Sequence, residues 1–145
     1  MKITDAHLKQ IYAHATETWP QECCGFLLGR VEQGGLVCRV ERAVNQSRRP
    51  DRFTISAEEF ARTWLTAEES GLVVIGTYHS HPNYPAIPSQ TDLDNAWEDA
   101  FFLITTLHQG HPLHTSVWQL AGHDGLRHLT PVPLEVVAPE AIPHD

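Results

Sequence analysis

At 145 residues the chain is sized for one domain, and its 41% hydrophobic and 19% charged content is ordinary for a soluble globular protein. A net charge of −8 argues against a basic face for nucleic acid, and no apolar run approaches the ~20 residues that a bilayer span needs. No apolar stretch follows Lys2 to suggest a signal peptide, and the three cysteines lack framework spacing, so the expected compartment is the reducing cytoplasm.

The first expected element is a helix over Asp5–Glu17, with Leu8, Ile11, Tyr12, Ala15 and Trp19 on its inner face and Pro20 stopping it. Cys24–Val31 reads as a core strand, Gly34-Gly35 as a turn, and Leu36–Val44 as the returning strand. Asn45–Arg52 is a polar loop, in which Arg48, Arg49 and Arg52 form a basic cluster exposed to solvent. Ser56-Ala57-Glu58-Glu59 has the form of a capping box opening a second helix, with Phe60 and Trp64 on one side and Gly71 at its end. Val73–Tyr78 is a short buried strand running into His79. A loop with Pro82, Pro85 and Pro88 follows, then a third helix from Ser89, with Leu93, Ala96, Trp97 and Ala100 at helical spacing.

Phe101–Leu107 is a buried strand, and Thr115–Leu120 and Leu126–Val137 supply more, the last interrupted by Pro131 and Pro133. His108, His111 and His114 recur every three residues, but Gly110 and Pro112 break the regularity, which makes this a turn between strands and not a second metal site. Trp64, Trp97 and Trp118 are assigned to the core, and Cys23, Cys24 and Cys38 are read as buried free thiols. The domain is expected over residues 1–138, with 139–145 a flexible tail. Strands interspersed with helices make a layered α/β fold.

The chemistry concentrates in His79-Ser80-His81-Pro82 and Ser89-Gln90-Thr91-Asp92. Side chains at i and i+2 of a strand share a face, and ~7 Å of strand rise lets both imidazoles reach one ion. Asp92, in the first turn of the third helix, can face back toward them. Two imidazoles and a carboxylate suit zinc, although the ligands alone would also take iron, cobalt or nickel in vitro, and three protein ligands leave one position open for hydrolytic chemistry. Glu22, just ahead of the first core strand, is a plausible general base, and Ser89 can hydrogen-bond a developing oxyanion. Ser89-x-x-Asp92 is also a helix-capping arrangement, which does not exclude catalysis. Tyr84, in the loop beside the proposed metal, either lines a substrate groove or covers the helix start.

Glu22, then His79-Ser80-His81-Pro82, then Ser89-x-x-Asp92 resembles the JAMM (MPN+) metalloprotease motif. Glu22–Gly29 resembles that family's first-strand signature and Gly76–Pro82 its metal strand, and the resemblance runs from about Ile3 to Val137. It implies the JAMM/MPN fold, a central mixed sheet flanked by helices and similar to the cytidine-deaminase architecture. It also implies one zinc ion per chain on His79, His81 and Asp92, Glu22 as acid/base, and Ser89 stabilising the tetrahedral intermediate. Family members cleave peptide or isopeptide bonds after the C-terminal Gly-Gly of ubiquitin or ubiquitin-like proteins. The short loop from Pro82 to Pro88 resembles the small bacterial branch, whose substrates are ubiquitin-like sulfur-carrier proteins or their conjugates, and homodimers are common among such relatives. The substrate tail is expected along an exposed strand edge. Two rival readings are a non-catalytic MPN scaffold and a zinc hydrolase of a small molecule. Deaminase chemistry lacks its His-x-Glu and Pro-Cys-x-x-Cys signature.

Overall fold

The computed structural model describes residues 1–143; His144 and Asp145, the end of the expected tail, lie outside the described residues. In chain order the elements are β1 (Lys2–Thr4), α1 (Asp5–Thr18), β2 (Cys24–Arg30), β3 (Leu36–Ala43), α2 (Ala57–Glu69), β4 (Val73–His81), α3 (Gln90–Asp94), β5 (Phe101–His108), β6 (His111–Ala121), β7 (His128–Val132) and β8 (Glu135–Val137). The strands form one mixed sheet in the order β7-β6-β5-β4-β2-β3-β1-β8. Within it β4 is antiparallel to β2 and parallel to β5, and β1 is parallel to β3 and β8.

Strand alternation supplies a core on each face of the sheet. Leu27 joins Leu8, Ile11 and Ala15 of α1, together with Tyr78 and Leu103. Its neighbours Phe26 and Leu28 turn the other way, against Ala67 and Phe60 of α2 and against Trp97. The layered α/β expectation therefore holds, with a helix on either side of the sheet.

Several expected boundaries shift for identifiable reasons. β1 is too short to show a period in sequence, and its last residue, Thr4, also caps α1 by accepting from the His7 N–H. Ser56 caps α2 by accepting from the Glu59 N–H, but the Glu59 carboxylate accepts from the Val44 N–H at 3.0 Å. The expected capping box is thus half a box, because a strand end competes for its acid. The third helix covers only Gln90–Asp94; Asp99 at φ 65° marks the irregular path that follows, and Trp97 packs against α2 from outside any helix. Trp64 is 41% exposed and Trp19 39% exposed, so neither is the core residue expected. Gln109 and Gly110 both have positive φ and make a tight turn that brings His108 opposite His111, as a hairpin requires. The final strand divides at Pro133 into β7 and β8, and Pro139–Ala141 makes a single 3-10 turn. Cys23 and Cys24 are buried free thiols, and Cys38 is half-buried. Among the described residues no helix is long and apolar enough to cross a membrane.

The position of β4 fixes the surroundings of the histidine pair. The sheet's edges are β7 and β8, and His79 lies inside the sheet, registered with Cys24 of β2 and Ile104 of β5, while His81 is registered with Thr106 of β5.

Candidate metal centre

β4 continues through both histidines, and its alternation sorts them from their neighbours. Tyr78 and Ser80 turn toward the α1 side, where the Tyr78 hydroxyl meets His14 Nδ1 at 2.7 Å and Ser80 Oγ accepts from the Cys23 N–H at 2.8 Å. Thr77 and His79 line a cleft on the opposite face together with Phe60 and Trp97. Asp92 reaches the same place from α3. Ser89 and Asp92 form a reciprocal capping box: Ser89 Oγ accepts from the Asp92 N–H at 3.0 Å, and Asp92 Oδ2 accepts from the Ser89 N–H at 2.8 Å. This closure of the first turn aims the carboxylate back at the strand.

Three donor groups converge. His79 Nε2 and His81 Nε2 are 3.2 Å apart. Asp92 Oδ1 lies 3.2 Å from the first and Oδ2 3.3 Å from the second, and all three side chains are buried. Ligands of a tetrahedral zinc ion, at bonds of ~2.0–2.1 Å, stand about 3.3 Å apart. The separation of the two Nε2 atoms fits the ion, and Asp92 presents a different oxygen to each ring. His81 Nδ1 donates to the Pro85 carbonyl at 2.7 Å, so Nε2 is the ring nitrogen left to face the cluster and to serve as a ligand once its proton is given up to a metal.

Glu22 joins the group through sheet pairing. Cys24 is registered opposite His79, which places the residue two positions earlier beside the cluster. A carboxylate oxygen of Glu22 and a ring nitrogen of each of His79 and His81 all lie within 4.8 Å of one another. Tyr84 donates its hydroxyl proton to Glu22 Oε2, while Oε1 is buried without a hydrogen-bond partner. The backbone carbonyl of Glu22 accepts from Asn45 Nδ2 at 3.0 Å.

The two carboxyl groups are driven in opposite directions. Burial raises the pKa of Glu22, against the opposing influence of His79 and the Tyr84 hydrogen bond. Burial also acts on Asp92, but hydrogen bonds from His79 and His81 outweigh it and hold that carboxyl well below the usual range. For His81, burial disfavours the charged form, and the hydrogen bonds to Asp92 and the Pro85 carbonyl prevail to raise its pKa. The two carboxyl groups beside the histidine pair are thus shifted apart, Glu22 upward and Asp92 downward.

His79, His81, Asp92, Ser89 and Glu22 are thus all brought to one place. Sequence reasoning missed the residues that hold them. Phe53 lays its ring on His79, with centroids 4.6 Å apart. Thr106 Oγ1 donates to the His81 carbonyl at 3.2 Å. Asn45 ties the polar loop together, donating to the Glu22 and Arg52 carbonyls and accepting from the Ser47 and Thr54 N–H groups. None of these announces itself locally, since each partner is distant in sequence or depends on loop shape. In that loop Arg48 and Arg49 are exposed and Arg52 is half-buried, and the cluster is partly answered by Asp51, which Arg49 grips with two hydrogen bonds. The cleft beside the centre is walled by Phe53, Ile55, Phe60, Trp97 and Phe102.

Comparison with known proteins agrees with this geometry. The chain is 32% identical over 103 residues to the CysO-cysteine peptidase of Mycobacterium bovis, covering 68% of each chain. It is 37% identical over 73 residues to the desampylase of Pyrococcus furiosus, covering 50% of each. A JAB1/MPN domain protein from Archaeoglobus fulgidus shares the fold, with a TM-score of 0.61 at 22% identity over 95% of this chain and 100% of that one. The sequence profile describing prokaryotic homologs of the JAB domain matches residues 4–122, and with the buried Glu22, His79 and His81 group in place this chain belongs to the prokaryotic JAB-domain family of JAMM metallopeptidases.

Proposed function

We propose that this chain is a zinc-dependent peptidase that hydrolyses the peptide or isopeptide bond after the C-terminal Gly-Gly of a ubiquitin-like, sulfur-carrier-type protein in the cytoplasm. The single observation that carries the reading is the convergence of the His79 and His81 Nε2 atoms, 3.2 Å apart, with the Asp92 carboxylate and with Glu22, one of whose oxygens has no partner. Relatives named as a CysO-cysteine peptidase and a desampylase support it.

In this reading His79, His81 and Asp92 hold one zinc ion. Bound there, zinc supplies Lewis acidity and lowers the pKa of water to about 7. Glu22 Oε1 accepts the proton of the attacking water and returns it to the nitrogen of the leaving amine as the C–N bond breaks. A carboxyl raised by burial suits both halves of that task. Ser89 Oγ, whose lone pair serves the Asp92 N–H, keeps its own proton free to donate to the oxyanion. The carrier's extended tail occupies the apolar cleft walled by Phe53 and Ile55, which opens beside His79 and Asp92. Glycines without side chains allow the backbone to approach the reacting centre closely. The working unit is the single domain of residues 1–138.

Incubation of the zinc-loaded protein with Gly-Gly-extended carrier proteins tests this, alongside Glu22→Gln and chelator-treated samples. Cleavage after Gly-Gly by the untreated wild type alone is expected. Zinc bound without cleavage of any carrier would turn the assignment toward a small-molecule hydrolase or a scaffold.

A further inference from the structure

We infer that Tyr84 is a positioning residue for Glu22: its hydroxyl holds Oε2, so that Oε1 alone is free to exchange the proton and the carboxylate stays off the metal. The inference rests on the peptidase reading and adds a residue to it.

An unrestrained glutamate can rotate to present either oxygen. It can also swing onto an ion, since its carboxylate already lies within 4.8 Å of the His79 and His81 ring nitrogens. The Tyr84 hydroxyl removes both freedoms by donating to Oε2. Tyr84 is itself fixed in three ways. Its ring lies on His81, with centroids 4.4 Å apart and planes tilted by 35°. Its backbone carbonyl shares the single hydroxyl proton of Thr106 Oγ1 with the His81 carbonyl. The loop on either side is pinned through its carbonyls: Trp19 Nε1 donates to Pro82 at 3.3 Å, His81 Nδ1 to Pro85 at 2.7 Å, and Ser116 Oγ to Ala86. A donor anchored in this way loses little freedom when it orders its acceptor, which is the advantage of preorganisation.

Tyr84→Phe keeps the ring stacking and deletes only the hydroxyl. The expected result on a Gly-Gly-extended carrier is a kcat at least tenfold lower, KM within twofold of wild type, and zinc binding no weaker in a chelator competition. Metal-free protein gives an arm independent of turnover. There Tyr84→Phe should lower the melting temperature when Glu22 is present, because a buried oxygen loses its partner, and should have no further effect in Glu22→Ala protein. Wild-type kcat in Tyr84→Phe, weakened zinc binding, or equal melting shifts in the two backgrounds would each overturn the inference. Failure of the wild type to cleave any carrier would instead strike the peptidase reading, and the melting arm would still decide whether Tyr84 and Glu22 are linked.

Discussion

Two carboxylates lie beside the histidine pair, and only one should be a metal ligand. Asp92 turns its carboxylate onto both rings, with Oδ1 3.2 Å from His79 Nε2 and Oδ2 3.3 Å from His81 Nε2. Glu22 has one oxygen engaged by Tyr84. Zinc at one hundred times its dissociation constant stabilises the folded state by about 2.7 kcal/mol. For a domain of this size each kcal/mol raises the melting point by roughly 2–4 °C, so the wild type should gain about 5–11 °C. Glu22→Gln should retain that gain in full, whereas Asp92→Asn and His79→Ala should lose nearly all of it. Each variant is scored against its own metal-free melting point in a zinc titration followed by calorimetry, because Asp92→Asn also disturbs the buried histidine contacts. A full zinc response in Asp92→Asn, with none in Glu22→Gln, would exchange the roles of the two acids and refute the proposed chemistry.

Other consequences can be checked independently. Asn45→Ala removes a side chain with donors on the Glu22 and Arg52 carbonyls and acceptors for Ser47 and Thr54; it should cost about 1–3 kcal/mol in urea unfolding and speed amide exchange through residues 46–55. A Cβ added at Gly25 would stand 2.3 Å from ring atoms of the fully buried Tyr78, so Gly25→Ala should destabilise by about 1–3 kcal/mol through overpacking, with loss of stability seen in denaturant midpoints. Burial, aided by the charge of Arg42 and opposed by Glu17, depresses the pKa of His14 from 6.5 to about 4 where it meets Tyr78. A depressed pKa favours the neutral ring in the folded state. His14 should therefore withdraw stability as pH falls from about 6.5 to about 4 and no further below, and His14→Gln should lack that part of the decline in denaturant midpoints measured across pH.

The parts of the site that were readable in sequence are those built by short-range geometry. His79 and His81 share a face because strand side chains alternate, and Asp92 turns back because Ser89 closes a box three residues away. Glu22 needed more, since its place depends on β2 pairing with β4 in the register that sets Cys24 against His79. That pairing is nonlocal and carries no local mark. Tyr84, Phe53 and Asn45 lie in loops whose paths are set by partners elsewhere, so their side chains had no predictable direction. The apolar spacing of Leu93, Ala96, Trp97 and Ala100 suggested a longer helix. Tertiary packing overrode it, drawing Trp97 into contact with Phe60 and Phe102 while the helix ended at Asp94.

The parallel pairing of β4 with β5 has a consequence for how such a protein changes over evolutionary time. Parallel neighbours cannot be joined by a tight turn; the chain must travel back along the sheet by a crossover of a dozen or more residues. Here that return path runs from Pro82 to Ala100 and carries Tyr84, Ser89 and Asp92. The fold would need this connection with or without chemistry. Substitutions within it can retune the reaction while the strand ladder stays intact, and added length there changes what surrounds the substrate without asking the sheet to pair differently.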